Sequence, residues 1–179
     1  TIIGDALANV YEALGYKVIR WNYIGDWGTQ FGKLIAAYKK WGVSKPPNQL
    51  SIQDMVNLYV KFHDELKNNP ELEEEGRKEF LKLEQGDRLN QEIWATFTRQ
   101  SLLEFNLMYS RLDIDSVGKK MLPFGESVYE SKLKPLIAKL KKEGMVKKSE
   151  GALIVELNGL PPALLQKSDG ATLYMTRDL

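Results

Sequence analysis

The run YKVIRWNY at residues 16–23 is short, β-branched and aromatic, and it passes straight into IGDWGTQFG, where three glycines fall within nine residues. Such a run reads as a buried strand, and the glycines as a tight turn. On its amino side, Ile3, Leu7, Val10 and Leu14 keep helical spacing across 1–14, with Gly15 placed as a left-handed stop. On its carboxyl side a second helix is predicted over 29–41. Helix, strand, glycine turn and helix in this order specify a parallel α/β sheet. The turn then lies at the carboxyl edge of that sheet, where α/β proteins bind ligands.

After residue 44 the character of the chain changes. VSKPPNQLS reads as a linker, and Ser51 with Asp54 opens a helix that carries Ile52, Val56, Tyr59 and Leu66. Asn69-Pro70 caps a further helix with an acidic first turn (Glu71, Glu73, Glu74, Glu75), as the helix dipole prefers. QGDR interrupts it, and a long helix over 89–112 places Leu89, Ile93, Phe97, Phe105, Met108 and Leu112 on one stripe. LDIDSV (112–117) reads as a short strand returning to the sheet, followed by a helix over 131–143 that ends at Gly144. GALIVEL and PPALLQKS read as two strands flanking Asn158-Gly159, a hairpin signal, with Pro161 and Pro162 requiring an edge or irregular position.

Composition narrows the function classes. The net charge of +1 provides no global field toward nucleic acid or membrane, so any nucleic-acid contact must be local. The absence of cysteine excludes disulfides and thiolate metal sites and suits a reducing cytoplasm. No apolar run reaches the roughly 18 residues of a spanning helix. His63 is the single histidine, so no Ser-His-Asp set forms around a second one, and no metal-ligand cluster is visible. The chain begins at Thr1, already within a helical pattern, and both ends read as cuts through a longer protein.

Three features could carry chemistry. In QKSDGATLYMTRDL (166–179), Thr176 as N-cap would put Asp178 in a first helical turn that favours its ionised form, with Tyr174 leaning over the same volume. One carboxylate and one phenol suit a guanidinium, whose five N–H donors pair with a carboxylate bidentately. A cap and a packed tyrosine account for the same residues. GDWGTQFG is neither GxGxxG nor a phosphate loop; Gly25 and Gly28 would admit positive φ, with Trp27 a core plug. The seven lysines of 132–148 form either a solvated helix surface or a phosphate-contacting face.

Together, TIIGD at 1–5, ANVYEALGYKVIRWNYIGDWGTQFG, GALIVEL and QKSDGATLYMTRDL resemble the catalytic domain of arginyl-tRNA synthetase, a class I synthetase. IWATFTRQSLLEFNLMYSRLDI in the insert matches more loosely. The resemblance implies a partial Rossmann-type parallel sheet with a mainly helical insertion. Its divisions would be 1–44 (first part of the core), 45–145 (insertion) and 146–179 (return strands and arginine-pocket segment). It implies an enzyme that forms arginyl-adenylate from L-arginine and ATP, with Mg, and passes arginine to tRNA(Arg). Tyr174 and Asp178 would face the arginine side chain, and Asp26, Trp27 and Gln30 would support the pocket floor. The family's HIGH-type and KMSKS-type motifs lie outside this chain, which therefore holds no catalytic residues of its own and is expected to be inactive in isolation, with no tightly bound cofactor. Self-association through exposed core surface and a cytoplasmic location are further expectations. Another class I synthetase, another α/β nucleotide-using enzyme and a non-catalytic helical binding module are the alternatives.

Overall fold

The computed structural model describes residues 1–114, 122–168, 170 and 173–177, apart from the side chains of Leu122, Pro123, Tyr174 and Arg177. Two compact units are present, Thr1–Gly125 and Glu126–Leu179.

The first unit opens with α1 (Ile2–Ala13), which closes as its sequence predicts: Gly15 sits at φ 86 and the Tyr16 N–H reaches back to the Tyr11 carbonyl at 3.0 Å. Its apolar stripe is left largely uncovered by the described residues. Ile3, Leu7, Val10 and Leu14 are all more than half exposed, and Ala8 is the buried residue of the helix. The polar side of α1 faces the chain instead. Arg20 bonds Asp5 at 2.5 Å, Asn9 at 2.9 Å and Glu12 at 3.1 Å, and its side chain keeps only 9% exposure.

The expected strand is shorter than its sequence run: β1 covers Trp21–Ile24, and residues 16–20 are irregular. It is also open on one side, with Trp21 and Tyr23 exposed. Its partner is β2 (Leu122–Gly125), paired parallel from Trp21↔Leu122 to Ile24↔Gly125. Parallel pairing confirms the α/β reading, but the returning strand is not LDIDSV. Residues 112–114 are a turn, closed by the Ile114 N–H on the Tyr109 carbonyl at 3.0 Å, and 115–117 lie outside the described residues.

α2 (Thr29–Ala37) continues into one π-helical turn, Tyr38–Gly42. The helical segment follows as α3 (Ile52–Leu66), α4 (Glu71–Glu84) and α5 (Arg88–Arg111). The Ser51–Asp54 capping box forms in full, whereas α4 has Pro70 at its N-cap and no side-chain cap bond from Asn69. In α3 the buried residues are Met55 and Phe62, and Val56 is exposed; the stripe is rotated by one residue from the predicted one. In α5 only two residues of the predicted stripe are covered. Ile93 and Phe97 are buried, while Leu89, Phe105, Met108 and Leu112 are exposed. One core cluster joins Trp27, Ile35, Tyr38, Leu50, Met55, Phe80, Leu83, Ile93 and Phe97, so the glycine turn, α2 and the helical segment share it, and a second joins Ala36, Ala37, Phe62 and Leu72.

A polar knot lies beside that core. Lys39 donates to Glu79 at 2.5 Å and to Asn90 at 2.6 Å, and the Asn90 amide donates to the Glu79 carbonyl at 2.7 Å. Lys82 donates to the other Glu79 oxygen at 2.7 Å. Asn90 is fully buried.

In the second unit, a 3-10 turn over Glu126–Tyr129 leads into α6 (Glu130–Lys142), whose buried residues are Leu133 and Ile137. β3 (Lys147–Ser149), β4 (Ala152–Val155) and β5 (Ala163–Gln166) form an antiparallel sheet in that order. These strands pair with one another rather than extending the parallel sheet, because the short connections between them permit only antiparallel neighbours. β3 has no counterpart among the predicted strands. The hairpin at Asn158-Gly159 forms, with Gly159 at φ 75, but its loop runs from 156 to 162 and keeps both prolines out of the strands. α7 (Tyr174–Arg177) is a single turn.

Burial alone would raise the Glu79 carboxyl, but its bonds from Lys39, Lys82 and Asn90 outweigh this and bring it down from 4.5 to about 2. A carboxyl depressed on folding adds stability above its unfolded pKa, and that stability is lost as pH falls through the folded value. The urea midpoint should therefore drop between roughly pH 5 and pH 2, and Glu79→Gln should flatten the profile in that window while lowering stability at about pH 6.

Candidate functional site

β1 ends at Ile24, and the chain must reach the start of α2 across four residues. Asp26 is buried there, against the last residue of β2: a Cβ on Gly125 would fall 2.0 Å from its carboxylate. A glycine at 125 is thus a condition for Asp26 to sit where it does. The Asp26 carbonyl accepts a 2.7 Å bond from the Trp94 indole on α5. Trp27 is 9% exposed and meets Phe80 and Trp94 edge-on at 5.7 and 5.2 Å, which makes it a core residue of the first unit. Its own Nε1 has no hydrogen-bond partner among the described residues.

Gly28 precedes α2 at φ 132, a conformation for glycine. Gln30 is exposed on the first turn of α2. The last glycine of the run does something its sequence does not announce. A Cβ on Gly32 would lie 2.2 Å from the Gly76 carbonyl and 2.6 Å from the Phe80 Cβ, so α2 and α4 touch backbone to backbone.

The other half of the predicted site is the closing segment. Tyr174 is the first residue of α7; its side chain and the whole of Asp178 lie outside the description. Thr176 is not the N-cap but the third residue of the helix. Fully buried, its hydroxyl accepts from the Leu173 N–H at 3.3 Å and donates to the Leu165 carbonyl on β5 at 2.5 Å. The threonine therefore ties the helical turn to the sheet. Before it, Gly170 at φ 90 closes a turn onto Lys167 at 3.0 Å, braced by the Gln166 side chain on the Gly170 carbonyl at 2.8 Å.

Gly125 and Trp94 are positioning residues that sequence reasoning missed, and Thr176, expected as an N-cap, instead holds α7 to β5. The available signal was the glycine that closes LPFG at 122–125; a threonine gives no sign in the sequence that it will be buried. His63 lies among aromatic rings, 4.5 Å from Tyr59 and 6.1 Å from Phe62. Among the described residues no group of three His, Cys, Asp or Glu side chains comes together to hold a metal ion.

The family model of the class I (R) tRNA synthetase catalytic domain matches residues 1–179. An arginine–tRNA ligase of Clostridioides difficile is 49% identical over 183 residues, and one of Bacillus cereus is 47% identical over 181; both alignments cover the whole chain. The chain spans about a third of the length of these curated relatives, 31% and 32%. The crystal structure of arginyl-tRNA synthetase from Plasmodium falciparum superimposes with a TM-score of 0.80 at 28% identity, over 99% of this chain and 29% of that one.

The glycine contact yields a paired measurement. Gly32→Ala should cost about 3 kcal/mol in urea unfolding, because backbone on both sides leaves the methyl nowhere to go. Gly4→Ala, in α1 with nothing within 4 Å of its added Cβ, should instead gain about 0.5–1 kcal/mol from reduced chain freedom.

Proposed function

Because this chain belongs to the class I arginyl-tRNA synthetase catalytic-domain family, we propose that it forms the arginine-recognising part of an arginine–tRNA ligase. That enzyme joins L-arginine to ATP as arginyl-adenylate, releasing pyrophosphate, and transfers the arginyl group to tRNA(Arg). The observation that carries the proposal is the match of family and relatives across the entire chain, including the run at 168–178.

Tyr174 and Asp178 receive the guanidinium. A carboxylate offers two acceptors to two parallel N–H groups, a geometry that lysine cannot reproduce with a single ammonium. An empty or mismatched acceptor in a dry pocket is penalised, which turns recognition into discrimination. The Thr176–Leu165 bond supports this reading by fixing the turn that carries Tyr174. Asp26, Trp27 and Gln30 act at one remove: Asp26 and Trp27 stiffen the turn after β1, and Gln30 stands on the first exposed turn of α2. Mg2+ would accompany ATP, held by its phosphates.

We place the enzyme in the cytoplasm, consistent with a chain that has no cysteine. The exposed stripe of α1 favours self-association of the chain when it is isolated.

In the full-length enzyme, Asp178→Asn should raise the arginine KM by about 10- to 100-fold, the worth of a charge-assisted pair, and Tyr174→Phe by less. An unchanged KM for Asp178→Asn would refute the assignment. The 179-residue chain by itself should show neither arginine-dependent pyrophosphate exchange nor arginylation when supplied with ATP, arginine and tRNA(Arg), since its single histidine is packed among rings. Exchange above a blank would contradict that.

A further inference from the structure

α6 carries a strip of surface without acidic residues. At about 100° per residue, Lys141, Lys134, Ala138, Ser131, Lys142 and Pro135 succeed one another across roughly 120° of the helix. All six are exposed, and the buried Leu133 and Ile137 lie on the other side. Lys134, Lys141 and Lys142 have no ion-pair partner among the described residues. The opposite flank differs: Lys132 lies 5.3 Å from the centre of the Tyr129 ring, and Lys139 is 4.0 Å from Glu143.

The helix dipole explains part of this pattern. It favours cations in the last turn, where Lys139, Lys141 and Lys142 sit. It offers nothing to Lys134 in the second turn. Nor does the strip extend onto β3, where Lys147 pairs with Glu156 and Lys148 lies on an edge strand, a usual place for a lysine that deters pairing. Between the α6 lysines stand only the short side chains of Ala138 and Ser131, which leave a shallow lane bordered by ammonium groups. Lys134 and Lys141 are two turns apart, about 10.5 Å, the span of a few successive phosphates on one strand. With the whole chain at only +1, such a lane is a local attraction rather than part of a general basic field.

We propose that Lys134, Lys141 and Lys142 on α6 contact the phosphate backbone of the tRNA substrate. This inference rests on reading the chain as part of an arginine–tRNA ligase. The lysines contribute affinity and orientation but no base readout.

The test uses the full-length enzyme and tRNA(Arg), with Kd measured across a salt series. Lys134→Glu/Lys141→Glu should weaken binding at least about 10-fold near 0.1 M salt and reduce the slope of log K against log salt by about 2, leaving the arginine KM unchanged. Lys132→Glu/Lys139→Glu makes the same change in net charge on the opposite flank and should shift Kd less than about 3-fold. An unchanged Kd and slope in the first variant, or equal weakening in both, would overturn the proposal. A wild-type enzyme that neither binds nor charges tRNA(Arg) would overturn the functional reading, and this proposal with it.

Discussion

Where α2 crosses α4, no side chain separates the two backbones. Gly32 and Gly76 are neighbours, and an added Cβ at either would meet the opposite helix within 3 Å. That proximity sets the depth at which Phe80 reaches Trp27, and Trp27 in turn holds the first turn after β1 against Trp94. The same turn carries Asp26, whose carboxylate requires a glycine at the end of β2. The crossing of α2 with α4 and the strand pairing in the sheet are therefore connected through a handful of contacts that leave little tolerance in any of them. Interiors packed at crystal-like density transmit small displacements in this way.

Polar contacts supply direction where the apolar ones supply cohesion. Asn90 has no solvent exposure, and its amide and carbonyl are both engaged by Glu79 and Lys39. A fully satisfied buried amide tolerates few alternative arrangements of α2, α4 and α5. Arg20 plays the corresponding part for α1, binding three side chains along one face of that helix. The face so chosen is the polar one, so the hydrophobic face of α1 is turned outward.

Much of the layout was legible in residue order. The capping box at Ser51, the left-handed glycine at 15 and the turn at Asn158-Gly159 all express local backbone chemistry, which needs no tertiary information. What failed was the choice between neighbouring stripes. On α3, Ile52, Val56 and Tyr59 and Ile52, Met55 and Phe62 are both acceptable helical spacings, and burial by α2 and α4 decides between them. On α5 the stripe continues well past the point where anything covers it, because periodicity reports amphipathicity and not the length of the partner. β3 was hidden by its lysines, which read as a continuation of the basic helix. In the candidate site, Trp27 is the core plug that its position suggested. Tyr174 and Asp178 still stand on motif alone, while the role of Thr176 emerges only from its contact with Leu165.

β1 and β2 hold residues 21–24 against 122–125, with about a hundred residues between them. Closing a loop of that length costs on the order of 4 kcal/mol in chain entropy, and four residue pairs on an open strand return little toward it. The intervening helices cancel most of this cost if they assemble first, since they shorten the effective distance between the strand ends. The entropic cost of joining residues 21–24 to 122–125 is therefore lowest when α2 to α5 are already packed, and the parallel pair depends on the helices between its strands more than on its own four residue pairs.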